Sequence, residues 1–123
     1  MGLTGHAPFL LVPDVGATLE HYRDALGFET RPYAHAPEEN GTATRDGCTI
    51  FFNRGPRATP NSALAPPDLF DVYLWTDDVQ GLFEELGDRG ADVLHGPTDR
   101  PWGMREIRVR DPNGYVLGFG QPL

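Results

Sequence analysis

The residues best equipped for chemistry lie in two strand-like segments. In DVYLW, Asp71 alternates with Tyr73 and Trp75; in EIRV, Glu106 alternates with Arg108. Side chains two apart on a strand share a face, so each segment sets a carboxylate beside aromatic rings or a guanidinium. Such groups could act as acid, base and oxyanion stabiliser in a metal-free isomerisation or ring closure. They could equally hold a ligand, because an aromatic wall with carboxylates binds a cation by both contacts. Glu106 and Arg108 could also simply neutralise each other. Other catalytic patterns are missing from the sequence: there is no Ser-His-Asp arrangement and no P-loop, and Gly118 and Gly120 close a strand instead of opening a nucleotide-binding helix. All ten basic residues are arginine, which excludes a lysine Schiff base. Cys48 is the only cysteine and lies in an apolar stretch, where a small core residue is expected. His21 on a helix, His35 in a loop and His95 at a strand end are expected to face solvent.

The elements that must position these groups occur twice. LVPDVGATLEHYRDALGFE reads as a strand, an acidic cap, an amphipathic helix and a glycine stop, and LWTDDVQGLFEELGDRGADV repeats that order. Leu19, Tyr22 and Leu26 recur at helical spacing in the first, and Leu82, Phe83 and Leu86 in the second, with Gly27 and Gly90 as stops. The Asp77-Asp78 pair reads as a helix N-cap. The first module is expected over residues 5–54, with strands at 8–12, 28–33, 42–45 and 49–53, a helix at 17–26, and a hairpin turn at Asp46-Gly47. A Pro/Ala-rich connection spans 55–68. The second module, 69–121, repeats the pattern with strands at 70–76, 92–95, 105–110 and 115–119, a helix at 79–89, and a tight turn at DPNG, Asp111 to Gly114. The fold class is α+β, two βαβββ modules in one domain, since neither half is large enough to be stable alone.

Composition bounds the partners. The 123 residues are 39% hydrophobic with a net charge of −8, which fits a globular protein and argues against nucleic acid or an anionic membrane as partner. The N-terminus lacks the basic and apolar runs of a signal peptide, so a soluble, cytoplasmic protein is expected.

The Asp-Val helix entry, DALGFE, DDVQGLFEEL and above all PWGMREIRVRDPNGYVLGFG resemble the vicinal oxygen chelate superfamily, which includes glyoxalase I, extradiol dioxygenases and the fosfomycin and bleomycin resistance proteins. The resemblance implies sheets that curl around a cavity, usually completed by a second subunit. It also implies four inward positions that carry metal ligands in the family's enzymes; here they fall on Ala7, Phe51, Asp71 and Gly118, with His6 next to the first. Only Asp71 could ligate, whereas a held divalent ion wants three or four donors, so no metal or other cofactor is expected.

Taking those positions as inward, alternation places Phe9, Leu11, Thr49, Phe51, Asn53, Asp71, Tyr73, Trp75, Glu106, Arg108 and Val116 on the cavity face. The opposite set, from Leu10 and Val12 to Leu117 and Phe119, is apolar and suits packing against helices. Trp102, in PWGMRE, occupies the place of a tryptophan that stacks on the drug in bleomycin resistance proteins, though it could instead cover the open end of the sheet. The expected ligand residues are therefore Phe9, Phe51, Asn53, Asp71, Tyr73, Trp75, Trp102, Glu106 and Arg108. Trp102, Phe51 and Trp75 are expected to stack, and Asp71 and Glu106 to recognise charge. The resemblance implies a metal-independent homodimer that sequesters a planar or cationic natural product or antibiotic. Its rivals are a glyoxalase-like lyase or isomerase, and an interaction domain with a filled interior.

Overall fold

The computed structural model describes residues 1–66 and 69–123. Strand β1 (Phe9–Val12) leads to helix α1 (Val15–Asp24), then β2 (Glu29–Pro32), β3 (Asn40–Arg45) and β4 (Cys48–Arg54). After a short 3-10 turn at Asn61–Ala63 come β5 (Val72–Trp75), α2 (Val79–Asp88), β6 (Asp92–Arg100), β7 (Met104–Arg110) and β8 (Val116–Pro122). The sheets are β1-β4-β3-β2 and β5-β8-β7-β6; β1-β4 and β5-β8 pair in parallel and the other neighbours antiparallel. The two modules thus have the same topology. Of the connection between them, Pro67 and Asp68 lie outside the described residues.

The local signals act as their chemistry dictates. The carboxylates of Asp14 and Asp78 each accept from a backbone N–H three residues on, at 2.9 Å, and so cap α1 and α2. Asp46 and Gly47 both take positive φ, as a two-residue hairpin whose twist matches its strands requires. Strand β6 runs further than its sequence suggests, through Gly96 and Pro97 to Arg100. It does so as an edge strand with register shifts at Val93/His95 and His95/Thr98, which is where a sheet tolerates proline.

One continuous apolar cluster joins the modules. Leu10, Val12, Ile50 and Phe52 lie under α1, Ile107, Val109, Leu117 and Phe119 under α2, and all are buried. Two expectations need correction here. Cys48 shares the strand phase of Ile50 and Phe52, but it begins β4 beside the hairpin turn and is exposed. His21 is half-buried, its Nε2 has no hydrogen-bond partner among the described residues, and the loss of hydration lowers its pKa against the pull of Asp111, Asp24 and Asp92.

Polar clasps fix one module on the other. The buried Tyr22 hydroxyl, on α1, donates to Asp111 Oδ2 at 2.8 Å, and Asp111 Oδ1 accepts from the N–H groups of Asn113 and Tyr115 at 2.8 and 3.0 Å. The Tyr115 hydroxyl donates to the carbonyl of Leu11 in β1. Arg45, at the end of β3, grips Glu85 of α2 with two hydrogen bonds of 2.8 and 2.6 Å. Burial raises the Asp111 pKa, and the donors around it hold that rise back. Replacing Tyr22 with Phe strips one donor from a buried carboxylate, so a loss of about 1–3 kcal/mol is expected, read as a lower urea midpoint with unchanged slope.

Candidate functional site

Each helix covers one face of its sheet and leaves the other face free. Register places the helix-free faces residue by residue. Across the first sheet, Arg31 pairs with Thr42, Thr42 with Phe51, and Phe51 with Phe9, so these four form a row. The next row holds Asn40, Asn53 and Leu11, with the Asn40 amide donating to Asn53. Phe9 and Phe51 stack with ring centroids 4.5 Å apart, and Phe9 is 63% exposed. Arg31, Thr42 and Phe51, with Tyr33 and His35, line a cleft of about 470 Å³.

On the second sheet, one row reads Tyr73, Gly118, Arg108, His95 and the next reads Trp75, Gly120, Glu106, Thr98. The two glycines make this surface possible. A Cβ on Gly118 would lie 2.6 Å from the Phe70 ring, and one on Gly120 would collide with the Tyr73 hydroxyl. The rings of Phe70 and Tyr73 therefore lie in a trough where other residues would project, meeting edge to face at 5.0 Å. Trp75 packs edge to face on Tyr73 at 5.3 Å, is 69% exposed, and also lines a cleft of about 380 Å³ with Asp46, Asp77 and Asp78.

Glu106 is the hub of this face. It is fully buried, and its Oε2 accepts from the Tyr73 hydroxyl at 2.8 Å and from Trp102 Nε1 at 3.2 Å. Its Oε1 lies 3.4 Å from Arg108 Nη2 and 3.5 Å from Arg100 Nε. The anticipated Glu106–Arg108 ion pair is therefore present. Arg108 also stands 4.4 Å above the Phe70 ring, a cation–π contact. Arg100 Nη2 donates to His95 Nε2 at 3.0 Å. Burial and the bond to Glu106 raise the Tyr73 pKa, so its phenol keeps its proton and remains a donor at neutral pH.

These contacts change the reading of two residues. Asp71 Oδ1 accepts from Asn61 N–H at 2.7 Å and Oδ2 from Val116 N–H at 2.8 Å, so its carboxylate ties the inter-module connection to β8. Glu106 is enclosed by its own donors. Both carboxylates accept hydrogen bonds from within the chain, Asp71 from two backbone N–H groups and Glu106 from the Tyr73 hydroxyl and the Trp102 indole. Val116, assigned to the cavity face by alternation, is fully buried. Trp102, in the turn between β6 and β7, is 55% exposed while its indole N–H is pinned to Glu106.

Arg31, Tyr33, Asn40 and Thr42 join the first cleft, and Phe70 and Arg100 the second cluster, without having been singled out by their sequence. Extending the alternation from Phe51 across β3 and β2 would have found the first group. The second depends on contacts that strand phase does not encode. Phe9, Phe51 and Asn53 share one face, and Tyr73, Trp75, Trp102, Glu106 and Arg108 gather on the other; among the described residues no ring contact joins the two.

Among the described residues no group of three or more His, Cys, Asp and Glu side chains converges. The Phe70 ring fills the space above Gly118, and backbone N–H groups occupy Asp71. Among the described residues no helix is long and apolar enough to cross a membrane.

Paired βαβββ modules, each with one sheet face free of helix, define the structural class. The chain belongs to the Glyoxalase/Bleomycin resistance protein/Dioxygenase superfamily, whose sequence profile matches residues 5–119. Among curated proteins it is similar to an uncharacterized protein of Mycobacterium tuberculosis, 29% identical over 129 residues, covering 95% of this chain and 74% of the relative. Its fold matches the bleomycin-binding protein of bleomycin-producing Streptomyces verticillus, solved with copper(II)-bleomycin, at a TM-score of 0.77 and 23% identity, over 100% of this chain and 99% of that one. It also matches TioX from Micromonospora sp. ML1, at a TM-score of 0.73 and 24% identity, over 98% of this chain and 100% of that one.

The glycine trough has a direct test. Gly120→Ala is expected to displace the Tyr73 ring and break its bond to Glu106, lowering the urea midpoint and shifting the Tyr73 ring signals in NMR spectra, whereas Gly87→Ala, which meets open space, is expected to do neither.

Proposed function

We propose that the protein is a metal-independent binding protein that sequesters a planar natural product or antibiotic, a resistance-type role. The observation that carries this reading is the placement of exposed aromatic side chains on the helix-free faces. Phe9 and Phe51 form a stacked platform on one, and Trp75 and Trp102 stand out from the other. Aromatic side chains left in water cost free energy that a flat apolar ligand recovers by covering them. Glu106 supports the same reading from the polar side, since a carboxylate that holds an indole N–H in place orients Trp102 before any ligand arrives. The bleomycin-binding proteins of the same fold, solved with bleomycin, are consistent with this role.

The protein works as a cytoplasmic homodimer in this proposal. Two separate aromatic faces on one chain are each half of a cavity, and a second copy that brought one face over the other would enclose a flat ligand between them. A lyase or isomerase built on Glu106 as base is the weaker reading, because that carboxylate is buried and shared among Tyr73, Trp102, Arg108 and Arg100.

Quenching of tryptophan emission by bleomycin and by simple fused-ring compounds is the primary test. Trp102→Ala is expected to weaken binding about tenfold while Trp75 still reports it. Mass spectrometry is expected to recover the compound unchanged, sedimentation to give a dimer, and elemental analysis after incubation with nickel, zinc, manganese and ferrous iron to find substoichiometric metal. One tightly held metal per subunit together with a chemically altered ligand would replace this reading with the enzymatic one.

A further inference from the structure

We infer that the cleft of the first sheet selects ligands that carry an anionic group, and that Arg31 is the residue that selects them. The inference rests on the proposed use of the helix-free faces as a ligand surface and adds the sign of the ligand's charge.

The cross-strand row Arg31, Thr42, Phe51, Phe9 runs from the β2 edge of the sheet to the β1 edge, with all four side chains on the helix-free face. Read along that line, the chemistry is a cation, a hydroxyl, and two aromatic rings in parallel contact. Tyr33 and His35 form the adjoining wall, their rings edge to face at 5.6 Å. Neighbouring strands lie about 4.8 Å apart, so the backbones of Arg31 and Phe51 are separated by about 10 Å. A fused-ring carboxylate spans that distance with its ring on Phe51 and its oxygens at the guanidinium.

The charges around the cleft favour an anion. Arg31 is exposed and, among the described residues, makes no ion pair or side-chain hydrogen bond, whereas Arg45, Arg54, Arg89 and Arg105 all hold carboxylates. The nearest carboxylate on the same face of β2 is Glu29, two residues away and about 7 Å along the strand, and it does not bond Arg31. Glu39, beyond the cleft, is held by Arg54 at 3.2 Å. A planar guanidinium offers paired N–H donors that match a carboxylate or sulfonate, which a bulk charge of −8 does not supply. The protein's overall charge would lead one to expect a cationic ligand; the local row reverses that preference.

The test uses three probes that share a fused ring and carry an anionic, a cationic or a neutral substituent: naphthoate, naphthylmethylammonium and naphthylmethanol, titrated calorimetrically into the full chain at low ionic strength. Naphthoate is expected to bind about tenfold tighter than the ammonium probe. Arg31→Gln removes an exposed side chain that has no ion pair or side-chain hydrogen bond among the described residues, so the fold is retained; it is expected to abolish the preference and leave the affinity for naphthylmethanol unchanged. Phe51→Ala is expected to weaken all three. Equal binding of the three probes, or a preference for naphthoate that survives in Arg31→Gln, overturns the inference and leaves the planar-ligand proposal standing. Absence of binding by all three, with no response from bleomycin either, overturns both.

Discussion

The structure depends on one buried carboxylate. Asp111 accepts from the Tyr22 hydroxyl of the first helix and from two backbone N–H groups of its own turn, so it is at once the clasp between modules and the staple of the β7–β8 connection. A charge in that position is tolerable only because each lone pair that matters finds a donor. Its cost appears as a raised pKa, and its benefit as orientation. With the turn fixed, Tyr115 reaches the Leu11 carbonyl in β1, and β7 and β8 hold Glu106 opposite Gly120. The chain thereby commits its helix-side faces to one shared core and leaves both opposite faces open.

Those open faces differ in kind. The second is organised around a carboxylate that is buried under its own donors, and the organisation begins with glycine. The absence of side chains at Gly118 and Gly120 lets Phe70 and Tyr73 lie flat on the sheet, and Tyr73 then reaches Glu106. In family members that bind metal the Gly118 position is expected to project a ligand; here an aromatic ring has taken its space. The glutamate nearby accepts from the Trp102 indole N–H and so orients that ring. Among the described residues the first face has side-chain bonds such as Asn40 to Asn53 but no buried carboxylate at its centre. It is a bare aromatic platform with a guanidinium at its rim, so its chemistry is available to whatever covers it.

Composition and contact chemistry act at different scales. An excess of acidic residues sets the long-range field, but contact specificity is decided by which charges remain unpaired once the chain has folded. Asp71 and Glu106 are consumed internally, the one by backbone amides and the other by tyrosine, tryptophan and arginine. Among the described residues Arg31 and Arg57 have no carboxylate partner, and of these two Arg31 lines the cleft of the first sheet.

The sequence by itself determined the module repeat, both helix caps at Asp14 and Asp78, the Asp46-Gly47 hairpin, and which strand positions face the helices, because each of these is a local event governed by residues within one turn or one strand period. Leu10, Val12, Ile50 and Phe52 could be assigned to the core from alternation alone, and Phe9 and Phe51 to the opposite face. Tertiary structure decided the rest. That β6 runs through Pro97 depends on its being an edge; that Cys48 is exposed depends on where the helix layer ends; that His21 loses water depends on the approach of the second module. Above all, the fate of Asp71 and Glu106 turned on hydrogen-bond partners from distant segments: Val116 lies 45 residues from Asp71, and Tyr73 lies 33 residues from Glu106. Strand phase tells which way a side chain points, but only the folded chain shows what already waits there to satisfy it.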